Sequence, residues 1–357
     1  MLFRYSILNG KKKKQAIIYT QDEHKIDCSM IDKNAIKILR KLVAANYTAY
    51  LVGGAVRDLL IGKTPKDFDI VTDAEPRMIR KTFKNSRIIG KRFRLVHVFY
   101  DKTIFEVSTF RSIETGSIGN TFGTIEEDAH RRDFSVNALY FDPLNSLLID
   151  FVNGLQDLRY KKLKPVIPLN ALFFEDPVRM IRAIKYSVLA NCSMGFFLKR
   201  KLKQSSYLLE TVSHSRLTEE MNKILHSGNA EKIIENLILF DVYTYLQPNA
   251  CVLLEEDTAN FCEKYFASLK LLDSAVESGN ANRQGTMLYY LIRDFLNLVF
   301  QNVGKQNSIF YYTQARHFIL PLNPQREEFH YAVSMWLKND YQKRKTQERL
   351  VDKKHIE

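Results

Sequence analysis

Cysteine is scarce: the 357 residues contain four, Cys28, Cys192, Cys251 and Cys262, with no Cys-x-x-Cys pair and no histidine at zinc spacing. That counts against a disulfide framework and a structural zinc site, and free thiols fit a reducing compartment. Long apolar runs are lacking as well. The best candidate, Met287 to Phe300, is broken by Arg293-Asp294 and reads as a buried helix rather than a membrane span. The start, Met1-Leu2-Phe3-Arg4, has no apolar region of the signal-peptide kind, and Lys11 to Lys14 break up the next stretch. These absences predict a cytoplasmic protein without membrane insertion. No internal repeat with a period of roughly 20–50 residues stands out.

Positive charge is what the chain has in excess. Lys and Arg number 53 against 40 Asp and Glu, for a formal net charge of +13 and a pI near 9.4. Such a balance favours an anionic partner, nucleic acid or an acidic membrane surface. Hydrophobic content of 45% with 26% charged residues places the chain among globular proteins, and its length suits two or more domains.

Chemistry concentrates in one stretch, Leu51-Val52-Gly53-Gly54-Ala55-Val56-Arg57-Asp58, followed by Lys66-Asp67-Phe68-Asp69-Ile70-Val71. The first part reads as the end of an apolar strand, two glycines and a short helix. Adjacent glycines let backbone N–H groups approach a ligand, a helix start favours an anion, and Arg57 adds a bidentate phosphate contact. The second part reads as a strand, which puts Asp67 and Asp69 on one face and Phe68 on the other. Two carboxylates on one face repel unless a cation lies between them, and hard oxygen ligands suit Mg²⁺ with a phosphate-bearing substrate. A Gly-Gly pair alone is usually a turn, and a lone Asp-x-Asp is usually solvated loop. Their combination points to phosphoryl or nucleotidyl transfer by metal ions.

Gly53-Gly54-x-Val56-Arg57-Asp58 with Asp67-x-Asp69 resembles the signature of the nucleotidyltransferase superfamily, in the branch of bacterial poly(A) polymerases and class II CCA-adding enzymes. Arg131-Arg132-Asp133-Phe134-x-x-Asn137-Ala138 resembles a second motif of that family, and Glu175-Asp176-x-x-Arg179 a third. The resemblance implies an α+β fold: a small mixed-sheet head followed by an all-α neck, body and tail. It also implies Asp67 and Asp69 as catalytic ligands of two Mg²⁺ ions, with Glu106 as a third acidic member. Gly53, Gly54 and Arg57 would cradle the phosphates. Arg111 and Arg132 would contribute to nucleotide binding, and Asp133 and Asn137 would orient the ribose. Asp176, Arg179 and Arg182 would serve the base. Without the resemblance, Glu106 reads equally as an edge-strand charge, and Asp176 as a helix cap beside solvated arginines.

Along the chain, the patterns predict a basic, irregular segment over 1–30, the head over 31–153, a helical neck over 154–215, a helical RNA-binding body over 216–340 and a fraying tail over 341–357. A helix should start at Asp32 or Asn34, and another should be capped by Thr72-Asp73. Asp133 and Asn137 should lie four apart on one helix face. Beyond about residue 195, amphipathic patterns predict helices at 198–209, 217–225, 230–240, 261–276, 286–300 and 327–337. The Ile88-Ile89-Gly90-Lys91-Arg92-Phe93-Arg94-Leu95-Val96-His97 segment and Asn120 to Asp128 are similar to the poly(A) polymerase branch. The loop from Arg111 to Asn120 is shorter than in the better-known members, and their long basic C-terminal extension is lacking. The activity implied is template-independent transfer of AMP from ATP to RNA 3′ ends. CCA addition to tRNA uses the same motifs, and an inactive RNA-binding descendant is the alternative of another class.

Overall fold

Period-2 alternation builds the N-terminal half. In the computed structural model, which describes residues 2–8, 11–90, 95–101, 103–112 and 122–341, nine strands form one sheet. They are β1 (Leu2–Leu8), β2 (Lys11–Tyr19), β3 (Ala49–Val52), β4 (Asp69–Thr72), β5 (Ser86–Ile89), β6 (Leu95–Tyr100), β7 (Thr103–Thr109), β8 (Leu139–Asp142) and β9 (Leu147–Asp150), in the order β1-β2-β9-β8-β3-β4-β7-β6-β5. Every pairing is antiparallel except β4 with β7. The sheet is thus mixed, as expected, and nine strands wide. Residues 1–30 are not an irregular lead-in either. β1 and β2 form a hairpin, and Ile17 to Tyr19 pair with β9. Ala16, Ile17 and Tyr19 are buried, so a short apolar tail behind the lysine run is enough to draw the hairpin onto the sheet.

One sheet face is thickly covered. Leu51, Ile70, Val96, Val98, Phe105, Val107 and Phe141 pack with α2 (Lys33–Ala44), α3 (Gly54–Leu60) and α4 (Pro76–Thr82), while α1 (Gln21–His24) comes after β2. Asp32 caps α2, its carboxylate accepting from the Asn34 N–H at 2.6 Å. Thr72-Asp73, however, caps no helix. Thr72 belongs to β4, Asp73 accepts from the Thr48 N–H at 2.8 Å, and α4 begins only at Pro76. The opposite face holds a smaller cluster, Val52, Val71, Phe110, Tyr140 and Ile149, against Ala129 of α5 (Ile125–His130). This thinner cover leaves part of that face open.

Helix α6 (Gly154–Arg159) starts where Asp150 gathers the N–H groups of Val152, Gly154 and Leu155 at 2.9–3.0 Å. A Cβ on Gly154 would lie 2.2 Å from the Ser135 carbonyl oxygen and 2.9 Å from its carbon, both backbone atoms. Gly154→Ala should therefore lower the thermal midpoint by several degrees, consistent with an overpacking cost of about 1–3 kcal/mol. It should also cut activity, because Ser135 opens the short 3₁₀ turn that carries Asn137. An unchanged melt by calorimetry would contradict this close packing.

The chain divides into two compact units, Met1–Leu172 with Ala190–Gly195, and Phe173–Leu189 with Phe196–Glu357. The head therefore runs past the expected boundary at 153. It also reclaims a two-residue parallel ladder, β10 (Lys162–Leu163) with β11 (Ser193–Met194). The boundary falls within α7 (Leu169–Glu175).

Among the described residues the second unit is helical throughout: α8 (Arg179–Leu189), α9 (Phe196–Ser205), α10 (His214–Leu225), α11 (Ala230–Leu239), α12 (Tyr243–Leu246), α13 (Pro248–Glu256), α14 (Phe261–Glu277), α15 (Gln284–Val303), α16 (Ser308–Phe318) and α17 (Arg326–Trp336). Periodicity does not predict α12, α13 and α16. In α16 the buried stripe Tyr311, Ala315 and Phe318 is blurred by Ile309, which is exposed. Trp336 is fully buried, its indole N–H donating to Asn297 Oδ1 at 3.0 Å. Met287 to Phe300 lies within α15, and no helix among the described residues is long and apolar enough to cross a membrane.

Candidate active site

Strand β3 ends at Val52, opposite Asp69, the first residue of β4. Gly53 then turns the chain into α3 with φ 73°, a conformation that costs a side chain strain. A Cβ there would lie 3.6 Å from Asp69 Oδ2 and 3.9 Å from Arg132 Nη1. Glycine thus keeps open a gap with a carboxylate on one side and a guanidinium on the other. Asp67 lies before β4, not within it, because the ladder ends at the Val52–Asp69 pair. The alternation survives nonetheless: Asp67 and Asp69 are exposed and Phe68 between them is buried.

Glu106 is not on an edge strand. β7 lies between β4 and β6, and the parallel register Ile70 with Val107 brings Glu106 level with Asp69 on the same face. Its other neighbour is His97, whose Nε2 lies 3.6 Å from Glu106 Oε1. Asp67, Asp69 and Glu106 supply hard, solvent-facing oxygens, the donor chemistry Mg²⁺ prefers. No group of three or more His, Cys, Asp or Glu among the described residues encloses a metal position. Mg²⁺ is commonly held through one or two carboxylates, with water and substrate phosphate completing its shell, and exposed Asp67 and Asp69 are donors of that kind. The residues present therefore fit the ion.

Arg57 differs from its expected role. Its guanidinium is buried, donating to Asp58 Oδ1 at 2.7 and 2.9 Å and to Asn137 Oδ1 at 2.9 Å. It is a brace for Asn137 rather than an open phosphate clamp. Arg132 is the arginine beside Gly53. Asp128 Oδ2 accepts from its Nη2 at 2.8 Å, Tyr140 Oη accepts from its Nε at 3.0 Å, and Tyr140 in turn donates to Asp128 at 2.7 Å. Burial alone would raise the Asp128 carboxyl pKa, but Arg132 and Tyr140 outweigh it and hold the group ionised below its ordinary range. Sequence reasoning missed Asp128 and Tyr140. The i, i+4 spacing of Asp128 and Arg132 was the available signal. Arg111 is half-buried beside this group. Burial pulls its pKa down, Asp128 opposes that, Arg132 adds to it, and Glu106 opposes it.

Asp133 and Asn137 do not share a helix. α5 stops at His130, and Ser135–Asn137 forms a 3₁₀ turn after an extended Phe134. Both side chains are buried, and Asp133 Oδ1 accepts from the Phe134 N–H at 2.9 Å.

In the second unit, α8 begins at Arg179, two residues after Pro177, and Asp176 accepts from the Val178 N–H at 3.2 Å. Asp176 has a partner the motif did not indicate, while Arg179 pairs within the motif itself. Arg216 Nη2 reaches both Asp176 oxygens at 2.8 and 2.9 Å, and Arg179 Nη1 donates to Glu175 Oε2 at 2.9 Å. Arg182 lies over the Tyr186 ring, 5.5 Å from its centroid. Lys91 to Arg94 and residues 113–121 lie outside the described residues, as does the basic tail from 342.

A strand–Gly-Gly–helix unit, paired to a strand that opens on a catalytic-type carboxylate and completed by a third acid one strand over, defines a nucleotidyltransferase head. Residues 49–164 match the family model described as the poly A polymerase head domain. Residues 198–254 match one described as a probable RNA and SrmB-binding site of polymerase A. Poly(A) polymerase I of Salmonella typhimurium is 33% identical over 332 residues, covering 87% of this chain and 70% of that protein. The CCA-adding enzyme of Bacillus pumilus is 35% identical over 222 residues, covering 60% of this chain and 54% of that protein. The chain thus belongs to the family of bacterial poly(A) polymerases and CCA-adding nucleotidyltransferases, and it is an enzyme of that class. Its fold is similar to that of the Bacillus stearothermophilus CCA-adding enzyme solved with CTP, at a TM-score of 0.56 and 21% identity over 85% of this chain and 81% of that one.

Proposed function

We propose that the protein adds AMP from ATP to RNA 3′ ends without a template. The observation that carries this reading is the Gly53 turn, which has a metal-type carboxylate, Asp69, and a phosphate-type cation, Arg132, both beside it. In the reaction the RNA 3′-oxygen attacks the α-phosphorus, the bond to the β-phosphate oxygen breaks and pyrophosphate leaves. Asp67 and Asp69 would hold the Mg²⁺ ions, which supply acidification of the attacking hydroxyl and charge neutralisation on the triphosphate. Arg132, held by Asp128 and Tyr140, meets the phosphates. Asn137, braced by Arg57, orients the ribose together with Asp133. Asp176 and Arg179, with Arg182 beside them, read the base edge. Such an enzyme acts where ATP and RNA meet, in the cytoplasm.

CCA addition to tRNA is the competing reading, since an acceptor and a fork of donors match the amino group and ring nitrogen of either adenine or cytosine. The resemblance of Gly90 to Arg94 to the poly(A) branch favours ATP. The experiment supplies generic RNA, or tRNA lacking its CCA end, with ATP or CTP. ATP should be preferred by at least about tenfold in kcat/KM, roughly 1.4 kcal/mol of transition-state discrimination. Arg179→Ala should lower incorporation and flatten that preference. CTP on truncated tRNA equalling ATP on generic RNA would replace polyadenylation with CCA addition.

A further inference from the structure

Helix α9 buries Leu198, Leu202 and Ser205, spaced i, i+4, i+7, and turns the rest outward. The outward face carries Phe196 and Phe197, exposed by 70% and 73%, with Lys199, Arg200 and Lys203 around them. Tyr207, two residues past the helix, is 54% exposed, and Phe174 is 60% exposed beneath Lys201, whose Nζ lies 5.3 Å from the ring centroid. Among the described residues five aromatic side chains are more than half exposed, and all but Tyr160 lie on α9, just after it, or under its Lys201. Burying large apolar rings is the normal outcome of folding, and a clustered exception marks an interaction surface. The Phe196 and Phe197 rings meet edge to face, centroids 5.6 Å apart at 75°, so they present faces in different directions. Lys203 is paired with Asp241 at 3.0 Å, but Lys199 and Arg200 form no ion pair among the described residues.

We propose that α9 with Phe174 is a stacking platform for single-stranded RNA. Successive bases lie on Phe196 and Phe197, and the backbone phosphates between them meet Lys199 and Arg200. Ring faces at the start of the helix with cations one turn on supply both a surface for bases and partners for phosphates, and stacking on phenylalanine tolerates any base. The proposal rests on the RNA-directed activity proposed for the head and says which surface of the second unit holds the strand. An anionic lipid surface is also drawn to exposed rings and cations. The outward face, however, carries aromatic rings and no Leu, Ile or Val, which favours bases over acyl chains.

The test compares the full-length protein with Phe196→Ala/Phe197→Ala and Lys199→Ala/Arg200→Ala, using anisotropy of a labelled oligoadenylate over a salt series. Circular dichroism should be unchanged, because all four side chains are exposed. The phenylalanine variant should bind about tenfold or more weakly with an unaltered salt slope, since stacking releases no counterions. The basic variant should lose about 1.4 from the log–log slope, roughly 0.7 for each phosphate contact. Phe197→Trp made alone should keep the parent's affinity, because the indole still offers a stacking face. Phenylalanine variants binding within twofold of the parent would overturn the platform while leaving polyadenylation standing. Loss of binding only to phosphatidylserine vesicles would overturn it in favour of a membrane. A parent protein that binds no RNA would remove the platform and the proposed activity together.

Discussion

Asp69→Asn should lower AMP incorporation by about three orders of magnitude while the melting temperature and RNA affinity stay near those of the parent. Metal ligation at the transferring phosphoryl group contributes several kcal/mol, and about 4 kcal/mol corresponds to three decades in rate. Asparagine keeps the size and one oxygen of the side chain but removes the charge that would hold the ion. Asp69 is exposed at the start of β4, so its replacement disturbs no packing. Asp67→Asn should behave alike despite lying outside the ladder, because the alternation about buried Phe68 gives both carboxylates the same outlook. Single-turnover incorporation at saturating Mg²⁺ measures the effect. Near-parental rates for either variant would place the chemistry elsewhere.

The strand–turn–helix geometry of the first stretch was legible because its determinants are local. A chain reversal at Gly53, an Arg-Asp helix and an Asp-Phe-Asp alternation each occupy a few residues, and strand geometry turns that spacing into direction. Glu106 was legible only as a suspicion, since the same carboxylate on an edge strand would be ordinary. The register of β4 with β7 puts it level with Asp69 on an inner strand rather than at an edge. Contacts made by distant parts of the chain were not legible. Arg57 is locked to Asn137, 80 positions away, which converts an expected phosphate ligand into a brace. Asp133 to Asn137 carries a helical spacing, yet the chain there adopts a 3₁₀ turn tied by backbone bonds to Lys164 and Val166. Tertiary pairing thus overrides a local preference. The pairing of Asp176 with Arg216, 40 residues apart, has no signature in either segment. The N-terminal hairpin was missed because four consecutive lysines hide the short alternation that comes after them.

Helices α8 and α10 are joined by a second, deeper pair, and breaking it should give the largest loss of stability. Lys185 Nζ lies 2.6 Å from Glu220 Oε2, with side chains only 5% and 7% exposed. Burial alone would push the Glu220 carboxyl up, but Lys185 and then Arg182 outweigh it and hold the pKa below the ordinary carboxylate range. Glu220→Ala strands the Lys185 ammonium in the interior, at a cost of about 3–5 kcal/mol. Replacing both partners by apolar residues of similar size, Lys185→Met with Glu220→Leu, should be near neutral or mildly stabilising, because no buried charge is then left unpaired. The sign of the shift sets the pH dependence. A depressed folded-state pKa contributes stability that is fully present above the unfolded value of about 4.3, and that stability is lost as pH falls through the lower folded value. Urea denaturation should therefore give a large difference between parent and Glu220→Gln at pH 7. That difference should shrink as pH drops below about 4, whereas the double variant should lose less stability over the same range. The pair also positions the segment that bears Asp176, Arg179 and Arg182 against the helix that supplies Arg216. Where Glu220→Gln remains folded, its preference for ATP over CTP should accordingly weaken together with its stability. A variant that loses several kcal/mol yet keeps the full preference would show that base selection does not depend on how α8 is held.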